Sequence, residues 1–173
     1  RFDRVVALSE QSFDDKIVLD FVGHSKVFVA GSVWEEDIPV LRQILDQLPP
    51  DWKVIIAPHE MDHFTTDKLG CTVCRYTTYH SGDLSRVLLI DQLGLLSRLY
   101  RVGRFAYIGG GYGKGIHNIL EAAIYSIPVM FGPRHQKFRE AGALLAEGLA
   151  FDTSDKGFDE QLRRIIYNEE FRL

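Results

Sequence analysis

The sequence predicts a Rossmann-like, doubly wound α/β domain built on a parallel sheet. Three observations carry the prediction. Short runs rich in Val, Ile and Phe recur along the chain, each ends in a polar or glycine-bearing turn, and most of those turns lead into a segment of helical period. Strands that alternate with helices need right-handed crossovers, and these cover a parallel sheet on both faces.

Taken in order, "KVFVAG" (Lys26 to Gly31) reads as a strand, and "EEDIPVLRQILDQL" (Glu35 to Leu48) as a helix stopped by Pro49 and Pro50. "KVIIAP" (Lys53 to Pro58) is the next strand, "TVCRYTTY" (Thr72 to Tyr79) an edge strand, and "RVLLID" (Arg86 to Asp91) a buried one. A short helix from Leu93 to Tyr100 precedes "RFAYIG" (Arg104 to Gly109), followed by a helix over Ile116 to Tyr125 and "PVMFG" (Pro128 to Gly132). A helix over Gln136 to Glu147, "LAFD" (Leu149 to Asp152) and a closing helix complete the pattern. "FDRVVAL", within the first 25 residues, fits as a strand or as an interdomain connector.

At 173 residues the chain suits one compact domain, which at that size buries about 70% of its unfolded surface. Its 46% hydrophobic and 25% charged residues are those of an ordinary soluble globular protein, and no run approaches the roughly 20 apolar residues of a membrane span. A net charge of -4 argues against a general nucleic-acid binder, though not against a small anionic ligand. The chain opens on Arg1 without a signal-peptide pattern and stops inside an amphipathic run, so it reads as part of a longer protein. Cys71 and Cys74 lie too close together to staple a fold, which favours a reducing compartment.

Ligands of such sheets bind beyond the carboxyl ends of the strands, which selects Gly31 to Glu35, Pro58 to His63, Gly109 to His117, and Gly132 to Lys137. Five glycines fall within the seven residues from Gly109 to Gly115, letting the backbone approach a ligand closely. The N-terminus of the helix that follows would offer free N–H groups and a positive dipole end, so phosphate or carboxylate is the expected guest. G-x-G-x-G is a weak dinucleotide fingerprint here, because it comes late and no acidic residue ends a strand about 20 residues on. On a helix, His117, Asn118 and Glu121 share one face, and a carboxylate there can accept hydrogen bonds from the vicinal hydroxyls of a ribose. A capping Asn and a solvated Glu are the competing structural reading. Trp34 could sit on a ligand, but the preferred reading is a capping box, with Ser32 as N-cap and Glu35 at N3.

"AYIGGGYGKGIHNILEAAIYSIPVMFGPRHQKF" resembles the donor-binding region of the transferases of 3-deoxy-D-manno-octulosonic acid (Kdo), whose loop reads roughly "FVGGSLVPRGGHNPLEPAA" before "PVLFGP". "VAGSVWEED" is similar to that family's "AGSTWEGEE", "LIDQLGLLSRLY" to its "GDTMGELLLLY", and the opening "RFDRV" to the end of its "GDTRFDRV". The resemblance covers nearly the whole chain. It implies one half of a two-Rossmann-domain (GT-B) glycosyltransferase that moves Kdo from CMP-Kdo to a lipid A precursor at the cytoplasmic face of a bacterial inner membrane. Residues 1–25 would then be the interdomain connector and first element, and residues 26–173 the donor domain. The acceptor lipid, the membrane contact and the general base would belong to an N-terminal domain outside this sequence, so no catalytic residue is assigned in this part.

By carry-over, Gly31 and Ser32 after the first strand and Gly109, Gly110 and Gly111 after the later one would flank the CMP phosphate. Glu121 would meet the ribose hydroxyls, and His117 and Asn118 would line the pocket. The reaction implied is inverting displacement at the anomeric carbon of Kdo, with CMP leaving and neither metal nor cofactor required. "PHEMDHF" (Pro58 to Phe64) departs from the family's "PRHPERF", so His59 stands at the place of its arginine or its histidine, and Lys114, Arg134 and His135 become candidates for phosphate contact.

His59-x3-His63 with Cys71-x2-Cys74 has ligand types that could hold zinc, but Cys74 lies in a strand-like run and the order of the pairs is reversed from a common zinc finger. Two half-buried thiols are the preferred reading. The same loop and Glu would also serve a UDP-sugar transferase or epimerase, and fold alone would permit an NAD-binding or a non-catalytic domain.

Overall fold

The computed structural model describes residues 15–168. "FDRVVAL" and the last five residues lie outside them. The core is a seven-stranded, wholly parallel sheet of order β3-β4-β2-β1-β5-β6-β7. Its strands are β1 (Val27–Val33), β2 (Lys53–Pro58), β3 (Val73–Arg75), β4 (Val87–Leu89), β5 (Phe105–Ile108), β6 (Val129–Phe131) and β7 (Ala150–Asp152). The helices are α1 (Lys16–Val22), α2 (Ile38–Gln47), α3 (Leu96–Leu99), α4 (Leu120–Ala123), α5 (Arg139–Ala146) and α6 (Phe158–Tyr167). The predicted α/β class and doubly wound architecture are those observed.

The period of two along each strand sorts the core into two layers. Phe28, Ala30, Val54, Ile56, Phe105 and Tyr107 point to one face, where they pack with α2 and α6. Val27, Val29, Ile55, Ala106, Ile108 and Val129 point to the other, against α1, Leu99, Ile119 and Ala141. Both faces are dry, which is why these strands read as continuous apolar runs rather than as alternations. In α2 the spacing of Ile38, Leu41, Ile44 and Leu45 makes one buried stripe, and the helix ends at Leu48 before two prolines.

Several elements are shorter than their sequence patterns, each for a local reason. The edge strand expected over Thr72 to Tyr79 covers only Val73–Arg75. Beyond it no further strand holds the chain extended; Tyr76–Thr78 instead forms a 3-10 turn, in which Tyr76 donates to Asp15 (2.9 Å) and Thr77 to Asp91. The helix expected over Ile116 to Tyr125 is reduced to α4. Gly113 and Gly115 donate back to the carbonyl of Gly110, and Ile116 to that of Arg134, which holds the chain out of helical geometry ahead of it. The helix expected from Gln136 starts at Arg139 after a turn closed by Phe138 N–H on the carbonyl of His135. Within the first 25 residues the structure adds α1, capped by Asp15, whose carboxylate accepts from the Val18 amide at 3.1 Å.

Candidate functional site at the β1/β5 crevice

β1 and β5 are neighbours, but the chain leaves β1 toward β2 on one side and β5 toward β6 on the other. Their carboxyl ends therefore flank a topological switch point, where the loops diverge and leave a crevice. At that end β1 bulges between Gly31 and Val33. Ser32 takes up the irregularity with φ +53°, a left-handed conformation rare outside glycine. Ser32 joins His59 and Leu96 around a cavity of about 470 Å³.

The bulge also moves the helix start. The capping box expected from Ser32 and Glu35 is not formed, because β1 runs on to Val33 and the turn begins two residues later, at Trp34. The carboxylate that accepts from the Trp34 amide, at 2.9 Å, is Asp37. Glu35 is turned to the other side, where it accepts from the Thr65 amide and pairs with Lys68, whose ammonium lowers its pKa.

Asp37 is the residue of this crevice that the sequence reading missed. It is fully buried, and besides Trp34 it accepts from Gly110 N–H (2.9 Å) and the Tyr107 hydroxyl (2.8 Å). One carboxylate thus ties the end of β1, the middle of β5 and the glycine-rich loop together. Burial and this neighbouring charge push the Tyr107 phenol far up, so it acts only as a hydroxyl donor. An acid two residues before a helical proline was the available signal; behind Glu35 and Glu36 it looks, at the sequence level, like an ordinary acidic helix first turn.

The glycines serve backbone packing first. A Cβ on Gly109 would stand 2.2 Å from the Ser32 carbonyl oxygen, and Gly109 N–H donates to the Gly31 carbonyl at 2.8 Å. The loop can close on β1 only because that atom is missing. Gly31 similarly makes room for the hydroxyl of buried Tyr100, which a Cβ would approach to 2.0 Å. Gly111 lies against Gly132, and the Gly111 carbonyl accepts from the Arg134 amide at 3.0 Å. The expected anion site at a long helix N-terminus is not present, since α4 has four residues. Among the described residues, however, the amides of Lys114, His117 and Asn118 have no acceptor, and these N–H groups and the Lys114 ammonium are suited to an anionic oxygen.

Beside that loop the side chains converge. Trp34 Nε1 donates to His117 Nε2 at 3.0 Å with the two ring planes 14° from parallel. His59 lies across both, 4.4 Å from the Trp34 ring centre and 4.3 Å from that of His117. Lys114 Nζ stands 4.6 Å over the Trp34 ring, a cation–π contact. Burial, and next the neighbouring His59, lower the pKa of His117, while Asp37 opposes them. A histidine whose folded pKa is depressed gives stability that is whole above its unfolded value, about 6.5, and is lost as pH falls through the folded pKa. Denaturant unfolding of the native chain between about pH 5 and 8 is expected to show that fall, and His117→Gln to remove part of it.

The remaining predicted residues divide. Asn118 Nδ2 donates to Glu121 Oε1 at 3.0 Å, and Glu121 faces Tyr100, whose pKa is raised by burial and then by that carboxylate. Arg134 is exposed and braces the glycine loop through the Gly113 carbonyl at 2.5 Å. His135 is turned away from the crevice, onto Asp152 at 3.1 Å. Cys74 is buried with its thiol on the Val87 carbonyl, Cys71 is half-buried, and burial raises both thiol pKa values. Among the described residues no three His, Cys, Asp or Glu side chains gather as a metal site, and no helix is long and apolar enough to cross a membrane.

No family model matches the chain. It is 27% identical over 134 residues to the 3-deoxy-D-manno-octulosonic acid transferase of Aquifex aeolicus, covering 74% of this chain and 38% of that protein. With the enzyme of the same name from Rickettsia prowazekii it shares 27% identity over 146 residues, 79% of this chain and 32% of the relative. The chain thus spans under two fifths of the length of these relatives. In structure it matches the C-terminal CMP-Kdo binding domain of WaaA from Acinetobacter baumannii with a TM-score of 0.71, at 18% identity and over 96% of this chain and 90% of that one. By sequence, therefore, the chain is a relative of the 3-deoxy-D-manno-octulosonic acid transferases, and it carries the Rossmann-like fold of one half of a GT-B glycosyltransferase.

Proposed function

We propose that this chain is the donor-binding half of an enzyme that transfers Kdo from CMP-Kdo to a lipid A precursor. The observation that carries the proposal is the convergence, at the β1/β5 switch point, of Lys114, His59 and His117 around Trp34, with unpaired loop amides beside them and the Asn118–Glu121 pair next along the chain. The likeness to named Kdo transferases supplies the donor. In this reading the Lys114 ammonium and the amides of Lys114, His117 and Asn118 hold the phosphate, offsetting its charge by preorganised dipoles. Glu121 accepts from the ribose diol. Ser32 and His59 line the sugar side, Gly31 and Gly109 to Gly111 give the crevice its shape, and Arg134 holds the loop from outside. Acceptor, general base and membrane contact belong to a further domain of the parent enzyme, at the cytoplasmic face of the inner membrane.

Calorimetric titration with CMP, and with UMP and NAD for comparison, tests the reading. CMP is expected to bind weakly but more tightly than either comparison ligand. Glu121→Ala is expected to weaken it by about tenfold or more, the loss of hydrogen bonds to a charged acceptor. Equal affinity for CMP and UMP would favour a uridine-linked donor, and an unchanged affinity in Glu121→Ala would remove the ribose role.

A further inference from the structure

We infer that Trp34 is a positioning residue that fixes His117 as the tautomer protonated on Nδ1, so that the imidazole meets the donor as an N–H donor of set orientation. The inference rests on the functional reading above for its ligand, but not for its geometry. Trp Nε1 carries a hydrogen and has no lone pair to accept with, so a 3.0 Å contact to His117 Nε2 requires that nitrogen to be bare. In a neutral ring the proton must then sit on Nδ1. The ring planes are 14° from parallel and their centres 6.2 Å apart with the nitrogens at 3.0 Å, the geometry of an edge-on hydrogen bond rather than a face contact. His59 covers the same pair at 4.3 and 4.4 Å, which limits rotation of either ring about its own bonds. The Cδ2 edge of His117 lies over Gly110, where an added Cβ would come to 3.3 Å, so the imidazole is also seated on the loop that Asp37 anchors. Burial and the neighbouring His59 favour the neutral ring, in keeping with an acceptor at Nε2.

The ligand chemistry that follows is an anionic oxygen placed opposite Nδ1. On a nucleotide-linked sugar acid it comes from the phosphate or from the sugar carboxylate, and titration with CMP and with free Kdo separately tells which. An Nδ1–H donor binds either oxygen without adding a full charge.

Long-range proton–nitrogen NMR of the histidine rings at neutral pH reads the tautomer directly. His117 is expected to be protonated on Nδ1, with a coupling across the hydrogen bond between Trp34 Nε1 and His117 Nε2. In Trp34→Phe, which keeps a flat ring and removes the donor, the proton is expected to move largely to Nε2, and affinity for the anion that His117 binds to fall about three- to tenfold. A wild-type His117 protonated on Nε2 would overturn the inference, whether or not the variant folds. So would an identical tautomer in the variant or, where the wild-type chain binds CMP or Kdo, an unchanged affinity for both. An Nδ1-protonated His117 in a chain that binds neither CMP nor Kdo would uphold the assignment and remove the nucleotide-sugar reading instead.

Discussion

Gly109→Ala is expected to lower the thermal midpoint by roughly 4–12 °C, corresponding to about 2–3 kcal/mol of overpacking in a domain of this size. The cause is steric alone. Gly109 is not among the positive-φ glycines, so alanine is conformationally permitted, yet its Cβ would meet the Ser32 carbonyl oxygen at 2.2 Å and the Val33 Cα at 2.6 Å. Both are backbone atoms at the end of a strand held by β2 and β5, and neither can turn aside as a flexible side chain would. Relief requires the loop to lift from β1, which breaks the 2.8 Å hydrogen bond to the Gly31 carbonyl and draws Gly110 away from Asp37. CMP binding is therefore expected to be lost together with stability. Gly142→Ala, with open space around its Cβ in α5, is the control: it should be neutral or stabilising by up to about 1 kcal/mol. Differential scanning calorimetry of the two variants measures the contrast.

Asp37→Ala is expected to cost about 3–5 kcal/mol, a large part of the marginal stability of one domain. Two amides and a phenol would lose their acceptor in a fully buried place. Asp37→Asn should be milder, at about 1–2 kcal/mol. Its carbonyl oxygen can keep both amides, and the Tyr107 hydroxyl can reverse and accept from the new NH₂. Chemical unfolding of both variants checks the order, and an asparagine variant as damaged as the alanine one would mean that charge rather than hydrogen-bond capacity holds the two loops.

Fold class was legible because parallel strands covered on both faces leave long apolar runs, as in "KVFVAG" and "KVIIAP", that little else explains. What failed were lengths set by tertiary hydrogen bonds. The segment from Ile116 to Ile119 has a helical pattern, yet the Ile116 amide is committed to Arg134. Likewise Ser32 and Glu35 match a capping box, but a bulge that depends on pairing with β2 displaces the helix start to Trp34, with Asp37 as the accepting carboxylate. His59, His117 and Lys114 were candidates from the sequence, whereas their assembly around Trp34 was not visible, because Trp34 and His117 are 83 positions apart. The glycine-rich loop was legible as a place of close approach. That Gly109 and Gly111 pack directly on β1 and Gly132 follows only from the packing.

The central claim is that a cytidine nucleotide binds at the β1/β5 crevice, and an amide NMR titration of this chain with CMP tests it most directly. Shifts concentrated at Ser32 to Trp34, His59 and Gly109 to Glu121, and saturating with one affinity, are the predicted result. Shifts centred elsewhere on the sheet, or none at millimolar CMP, would contradict it.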